Sequence, residues 1–247
     1  MSNIYESDKI LAEYLLFHFG QDDEILTTDR SWPEGMRQAL GFPVRTTRHF
    51  TTGTVGRGLD LGCAVGRSTF EMSRECREVI GIDFSHAFIS AAQALANGEK
   101  LEYRRVEEAA NLTSLTAVLP TGIDSSRISF RQGDAMHLPD LGVFDRVHAA
   151  NLLCRLPEPL LLVEKLSVLL KPGGELVLAT PCTWLAEFTP PENWPAPDTL
   201  SWLKAKLAPH FDLTHETEEP FLIRETARKF QWTHSLVTVW RRKSTEG

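Results

Sequence analysis

The sequence lacks any cysteine arrangement that would hold a metal or staple the chain. Its four cysteines, Cys63, Cys76, Cys154 and Cys182, form no C-x-x-C pair, and none stands with histidine at ligand spacing. No metal cofactor is expected, and this cysteine usage points to a reducing, cytoplasmic setting. There is no apolar run long enough to cross a bilayer and no leader-like opening, so no membrane partner is expected. Basic blocks are scarce as well. The formal net charge is −7, and the basic pieces, Arg241-Arg242-Lys243 and the Arg224 to Lys229 stretch, are short. A nucleic-acid binder usually shows a basic face, so a nucleic-acid partner is disfavoured. Internal repeats, low-complexity tracts and an interdomain linker are absent too.

What remains is ordinary globular composition. The chain has 247 residues, 42% hydrophobic and 24% charged, enough for one substantial core. The expected organisation is a single domain over residues 1–247. Residues 1–56 form an N-terminal helical cap and residues 57–247 a Rossmann-like core. The Pro- and Trp-rich stretch from Pro181 to Pro197 reads as an ordered loop or lid.

The most informative string is Leu59-Asp60-Leu61-Gly62-Cys63-Ala64-Val65-Gly66-Arg67. It reads as a buried strand, a glycine turn and a helix start. The next strand, Val79-Ile80-Gly81-Ile82-Asp83, ends in an acid. A Gly-rich turn followed roughly 20 residues later by an acid at a strand tip is how a Rossmann-like sheet holds an adenosine-bearing cofactor. The turn departs from G-x-G-x-x-G, because Asp60 precedes it and Ala64 replaces the middle glycine. An anion there would repel a pyrophosphate. It suits the sulfonium and amino group of S-adenosylmethionine, and it argues against a nicotinamide dehydrogenase. Taken alone, the string fits equally a tight strand-to-helix turn without a ligand.

The downstream order adds weight. Ile128 to Gln132 reads as a third strand, leading into Gly133-Asp134-Ala135, where an acid would meet the adenine amino group. Phe144 to Ala149 is a fourth strand ending at Asn151. Leu169-Leu170-Lys171-Pro172-Gly173-Gly174 is a helix end and turn into a fifth strand, and Phe221 to Ile223 pairs with Ser235 to Trp240. Helices are expected over Tyr5–Phe19, near Pro33–Leu40, and over Val65–Glu75, Ser85–Asn97, Pro159–Leu170 and Pro197–Ala208. The insertion Tyr103 to Pro120 is expected to be helical. In order and spacing, the stretch from Arg57 to Pro181 resembles the class I S-adenosylmethionine-dependent methyltransferases. The resemblance implies an α/β fold, a Rossmann-like seven-stranded sheet with helices on both faces.

Several further strings carry a narrower resemblance. They are Tyr14-Leu15-Leu16-Phe17-His18-Phe19-Gly20, Gly81-Ile82-Asp83-Phe84-Ser85-His86, Asn151-Leu152-Leu153-Cys154-Arg155-Leu156-Pro157 and Pro220-Phe221-Leu222-Ile223-Arg224-Glu225 with Lys229-Phe230-Gln231-Trp232. They resemble the C-terminal methyltransferase domain of ovothiol-biosynthesis enzymes, which methylates a ring nitrogen of 5-thiohistidine (4-mercaptohistidine) to give ovothiol A. The resemblance implies a thiohistidine-like small-molecule substrate or a close selenium analogue. It implies S-adenosyl-L-methionine as cofactor, with S-adenosyl-L-homocysteine as product. The iron-dependent sulfoxide synthase of bifunctional members is not in this sequence, so a stand-alone methyltransferase is expected. Cys182 stands where the pattern has tyrosine, which bears on substrate fit. A methyltransferase acting on another small molecule and a non-catalytic S-adenosylmethionine-binding module are the alternatives.

The expected site follows. Asp60, Gly62, Ala64 and Gly66 would meet the methionyl end, Asp83 and Phe84 the ribose region, and Asp134 with Ala135 the adenine. Asn151, at the end of the fourth strand, would fix the imidazole tautomer, with Tyr14 and His18 closing the pocket as the other catalytic candidates. Arg155 and Arg224, then Lys229, are candidates for a substrate carboxylate, because an arginine fork matches a carboxylate bidentately. Trp184, Phe230 and Gln231, with Trp232, would line the walls.

Overall fold

The computed structural model describes residues 4–244. Residues 1–3 of the expected cap and 245–247 of the expected core lie outside them. The strands are β1 (Val55–Leu61), β2 (Cys76–Asp83), β3 (Leu101–Glu108), β4 (Asn111–Ala117), β5 (Ile128–Gln132), β6 (Phe144–Ala150), β7 (Leu170–Thr180), β8 (Phe211–Arg224) and β9 (Phe230–Arg242). The helices are α1 (Asp8–Phe19), α2 (Asp22–Ile25), α3 (Glu34–Gln38), α4 (Phe42–Arg45), α5 (Arg67–Met72), α6 (His86–Ala96), α7 (Pro159–Leu169) and α8 (Thr199–Leu207). Seven strands form one sheet in the order β5-β2-β1-β6-β7-β9-β8. The neighbours from β5 to β7 run parallel, and β9 is antiparallel to both β7 and β8. The predicted seven-stranded, Rossmann-like sheet is therefore the one observed.

Strand periodicity explains why both faces are covered. Side chains alternate across a strand, so a central strand buries two apolar sets. On β7, Leu176 and Leu178 join Leu162, Leu166, Leu203 and Trp240 in one cluster under α7 and α8. Val177 and Ala179 face the other way and join Phe42, Phe50, Phe221 and Val237. A further cluster holds α1, α6 and Phe130 together.

Local signals set the helix ends. Ser7 caps α1 by accepting from Ile10 N–H, Ser85 caps α6 by accepting from Phe88 N–H, and Asp198 caps α8. The N-terminal strap is tied down by Glu6, whose carboxylate accepts from the His86 and Ala87 N–H groups at the start of α6.

The insertion differs from expectation. Residues 101–117 are a two-stranded antiparallel hairpin, β3–β4, not a helix. Arg104, Arg105, Glu107 and Glu108 are good helix formers, but Tyr103, Leu115 and Ala117 bury one side at strand spacing. The turn uses Ala109 in a left-handed conformation (φ 50°), with no glycine or asparagine-glycine to announce it. A register shift between Val106 and Glu108 leaves Glu107 as an extra residue and re-aims it. Its carboxylate accepts from Arg224 (2.6 Å), Arg105 (2.7 Å) and Thr113 (2.6 Å). Strands β8 and β9 are longer than the short pair expected, because the outer half of β8 is exposed and acidic and shows no apolar alternation.

Arg224 is 3% exposed, and Glu107 is its carboxylate partner. Removing one member of a buried pair strands the other charge, at a cost of roughly 3–5 kcal/mol when both are fully buried. The Glu107 side chain keeps 15% exposure, so Glu107→Ala is expected to destabilise the fold by about 2–3 kcal/mol. Urea denaturation of the variant beside Arg224→Met/Glu107→Leu checks this, and the double variant is expected to recover part of the loss.

Candidate functional site

The parallel sheet reverses direction of construction at β1, which pairs with β2 on one side and β6 on the other. A crevice at the carboxyl ends of such strands is where ligands sit in open α/β sheets. The structure has a cavity of about 560 Å³ there. It is lined by Gly62 and Ala64 after β1, Asp83 and Phe84 after β2, Gly133 to Met136 after β5, and Asn151 after β6. Tyr5, Tyr14, Phe17, His18, Phe42 and Pro43 from the N-terminal region close it from above, and Glu187 and Phe188 close one side.

The turn after β1 is shaped by backbone conformation. Gly66 caps α5 at φ 91°, where an added Cβ would lie 2.6 Å from the Phe130 ring. Only glycine satisfies both conditions. Ala64 adopts φ 48°, a left-handed conformation unfavourable for an alanine. Its N–H is held by Asp83 Oδ2 at 2.9 Å, and Asp83 Oδ1 accepts from Ser85 N–H at 2.9 Å. One carboxylate thus braces the turns after β1 and β2 together. Burial pushes the Asp83 carboxyl up to about 6, against the pull of the Ser85 and Ala64 N–H groups and with a further push from Asp60.

Asp60 lies elsewhere than expected. It is 1% exposed and does not line the cavity. Oδ2 accepts from Ser68 and Thr69 hydroxyls at 2.6 Å each, and Oδ1 lies 2.8 Å from His148 Nδ1. His148 Nε2 lies 3.1 Å from Thr46 Oγ1. Asp60 therefore braces β1, α5, β6 and the cap from below. Gly66 likewise serves packing against Phe130 and Ala92 and is not on the cavity surface.

Asp134 Oδ1 accepts from Met136 N–H at 2.8 Å, and Oδ2 lies 2.9 Å from His137 Nδ1. The bend presents Asp134 and Ala135 to the cavity. Asn151 is left-handed (φ 54°), its N–H bonds Ala179 O at 2.7 Å, and its Oδ1 accepts from Ser235 Oγ at 2.7 Å. A strained, doubly anchored asparagine at a strand tip is fixed in direction. Tyr14 and His18 are stacked at 5.9 Å on one face of α1. Burial drives the His18 imidazole down to about 3 and raises the Tyr14 hydroxyl, so both stay neutral across the working pH range. They can shape the cavity and hydrogen-bond as neutral groups.

Of the expected substrate contacts, Arg155 lines the cavity. The others do not. Arg224 is committed to Glu107 and to Ile25 O on the far side of α1. Lys229 pairs with Glu225 at the surface, and Gln231 donates to the same Glu225. Phe230 packs at 5.1 Å from Trp32, and Trp184 donates to Thr199 Oγ1 beneath the loop. Trp232 is exposed over Gly35. These residues follow the tip of β8 and the end of β7, but the long β8–β9 hairpin carries its tip toward the β3–β4 hairpin. Sequence reasoning missed Tyr5, Phe17, Phe42, Pro43, Glu187 and Phe188. Phe17 sat inside a quoted string, whereas Phe42 and Pro43 fall where periodicity is weak.

The donor set fits S-adenosylmethionine. A carboxylate at a strand tip suits vicinal ribose hydroxyls, an acid with a neighbouring amide suits adenine, and no lysine lines the cavity to hold a phosphate.

Residues 59–178 match the family described as "Methyltransferase domain". The chain is 27% identical over 175 residues to a ubiquinone biosynthesis O-methyltransferase of Xanthomonas euvesicatoria, covering 66% of this chain and 62% of that one. It is 34% identical over 123 residues to a demethylmenaquinone methyltransferase of Lactococcus lactis, covering 48% and 39%. The chain thus spans less than two thirds of the length of these relatives. Among solved structures, the N-methyltransferase NodS from Bradyrhizobium japonicum bound to S-adenosyl-L-homocysteine superposes with a TM-score of 0.56 at 17% identity, covering 95% of this chain and 99% of that one. That likeness is one of fold.

The Asp83 carboxyl has its pKa raised on folding, so the unliganded native state gains stability from this group as pH falls below about 6 and lacks that gain above it. A cofactor held by the ionised carboxylate has the opposite preference. S-adenosyl-L-homocysteine affinity, read by titration calorimetry, is expected to be flat above about pH 7 and to weaken about 10-fold per unit well below 6. Asp83→Asn is expected to bind weakly at every pH, with the far-UV spectrum unchanged.

Proposed function

We propose, from the premise that this chain is a class I S-adenosylmethionine-dependent methyltransferase by its fold and by the domain at residues 59–178, that its acceptor is an imidazole ring nitrogen of 5-thiohistidine or its selenium analogue. The observation that carries this reading is the anchored Asn151 at the tip of β6, facing a cavity walled by Phe17, Phe42 and Phe188 with Arg155 at its side. The narrower resemblance of the quoted strings supplies the substrate.

The cofactor, when bound, supplies an electrophilic methyl group for in-line displacement. Asp83 would hold the ribose, Asp134 and Ala135 the adenine, and the Gly62 and Ala64 backbone the methionyl end. A neutral imidazole already carries a nucleophilic lone pair, so no strong base is needed. That agrees with the neutrality of His18 and Tyr14. Asn151 Oδ1, one lone pair taken by Ser235, keeps another for the ring N–H, which directs the reactive lone pair to the other nitrogen. Arg155 would take the carboxylate. The chain's own contribution is orientation and exclusion of water, worth about 7–11 kcal/mol in favourable systems.

A second reading, a quinol acceptor, draws on the aromatic walls and on the names of the two relatives above. Incubation with S-adenosylmethionine and 5-thiohistidine, histidine or a quinol analogue separates the readings. S-adenosyl-L-homocysteine release with thiohistidine alone is expected, with the added methyl on a ring nitrogen by mass spectrometry. Equal turnover of histidine contradicts the assignment. Asn151→Ala is expected to leave cofactor affinity within about twofold and to lower kcat by about 10²-fold, the scale of a misplaced reactant.

A further inference from the structure

Arg155 and Glu187 line the same cavity with opposite charges. Among the described residues no ion pair joins them, and neither pairs with any other charged side chain. The guanidinium is nevertheless fixed. Its Nη1 donates to Cys154 O (3.1 Å), Cys154 Sγ (3.2 Å) and Thr183 O (3.2 Å). Its carbon lies 4.8 Å over the Phe188 ring. The Tyr5 hydroxyl is a further hydrogen-bonding neighbour. All of these partners are neutral, so no carboxylate pairs directly with the guanidinium, and its three bonds to Cys154 and Thr183 leave from Nη1 alone. Glu187 directly precedes Phe188, so the stack that holds the guanidinium also holds the backbone carrying Glu187, whose side chain stays exposed on the cavity wall.

The other charged groups on the cavity wall have work already. Asp83 and Asp134 stand at the tips where ribose and adenine go, His18 is neutral, and His148 is tied to Asp60. One fixed cation and one unpaired anion are left for the acceptor. Two opposite charges that share a wall without neutralising one another are matched by a ligand head bearing both signs.

We propose that Arg155 and Glu187 form a clamp for the carboxylate and ammonium of a free amino acid, restricting this site to free amino acids over the same side chain in a peptide. The clamp rests on the amino-acid acceptor proposed above and adds Glu187 and the requirement for both unblocked groups.

Steady-state kinetics of the full chain with 5-thiohistidine, its N-acetyl form and its carboxamide provide the test. Glu187→Gln is expected to raise KM for the parent about 10-fold and leave the N-acetyl form unchanged. Arg155→Gln is expected to do the same for the parent and leave the carboxamide unchanged, with Arg155→Lys recovering part of the loss. Melting temperatures guard against misfolding. Equal efficiency with blocked and free substrates overturns the clamp. So does an Arg155→Gln effect confined to the KM for S-adenosylmethionine, which would give that arginine to the cofactor's own carboxylate. Should wild-type protein methylate no thiohistidine form, the acceptor assignment falls, and the clamp is read separately. Titration of the S-adenosyl-L-homocysteine-loaded chain with L-histidine and N-acetyl-L-histidine then decides. Preference for the zwitterion, lost in both glutamine variants, upholds the clamp; no preference overturns it.

Discussion

A carboxylate buried under the strand tips organises this molecule. Asp60 sits on β1 and gathers Ser68 and Thr69 from α5 and His148 from β6, and through His148 it reaches Thr46 in the cap. Each of those groups is buried, so each needs a partner, and an unpartnered one would cost several kcal/mol. The network fixes the spacing of β1 and β6 at the point where the strand order reverses, and with it the crevice above. Asp83 then works on the upper side, tying the turn after β1 to the start of α6 while keeping lone pairs for a ligand. The acids at neighbouring strand tips thus divide the labour: one is a strut inside the fold, the other faces the cavity.

That division explains how far the site was legible in the sequence. The pattern of buried strand, glycine turn and strand-tip acid placed Gly62, Ala64, Asp83, Asp134 and Asn151 around one hollow, because strand alternation and connection length dictate where strand ends fall. Pattern does not say which way an acid points. The pattern suggests that Asp60 faces a cation, whereas the hydroxyls of Ser68 and Thr69, in the first turn of α5, take its carboxylate.

The substrate side was less legible for a related reason. Arg224, Phe230 and Gln231 flank the β8–β9 turn, yet β8 is an edge strand, and these side chains find partners in Glu107, Trp32 and Glu225 rather than at the cavity. Glu107, 117 positions earlier, claims Arg224. A bulge with no glycine and a turn built on Ala109 left no local signal for the β3–β4 hairpin. Phe42 and Pro43 reach the cavity from a short helix braced by Arg45 on Glu219, a contact between the cap and β8 that periodicity cannot show.

The upper wall therefore comes from the two flanks of the chain: the strap and α1 on one side, the loop carrying Glu187 and Phe188 on the other. Arg155 lies between them, over the Phe188 ring and beside Tyr5. On the function proposed above, such a wall would exclude water from a displacement that depends on orientation more than on proton transfer.

The most direct test of this account is a crystal structure of the chain with S-adenosyl-L-homocysteine and 5-thiohistidine bound. The account predicts the ribose hydroxyls on the Asp83 carboxylate and the imidazole on Asn151, its free nitrogen facing the cofactor sulfur. A cofactor ribose away from Asp83, or an acceptor seated outside the hollow bounded by Asn151 and Phe42, would contradict it.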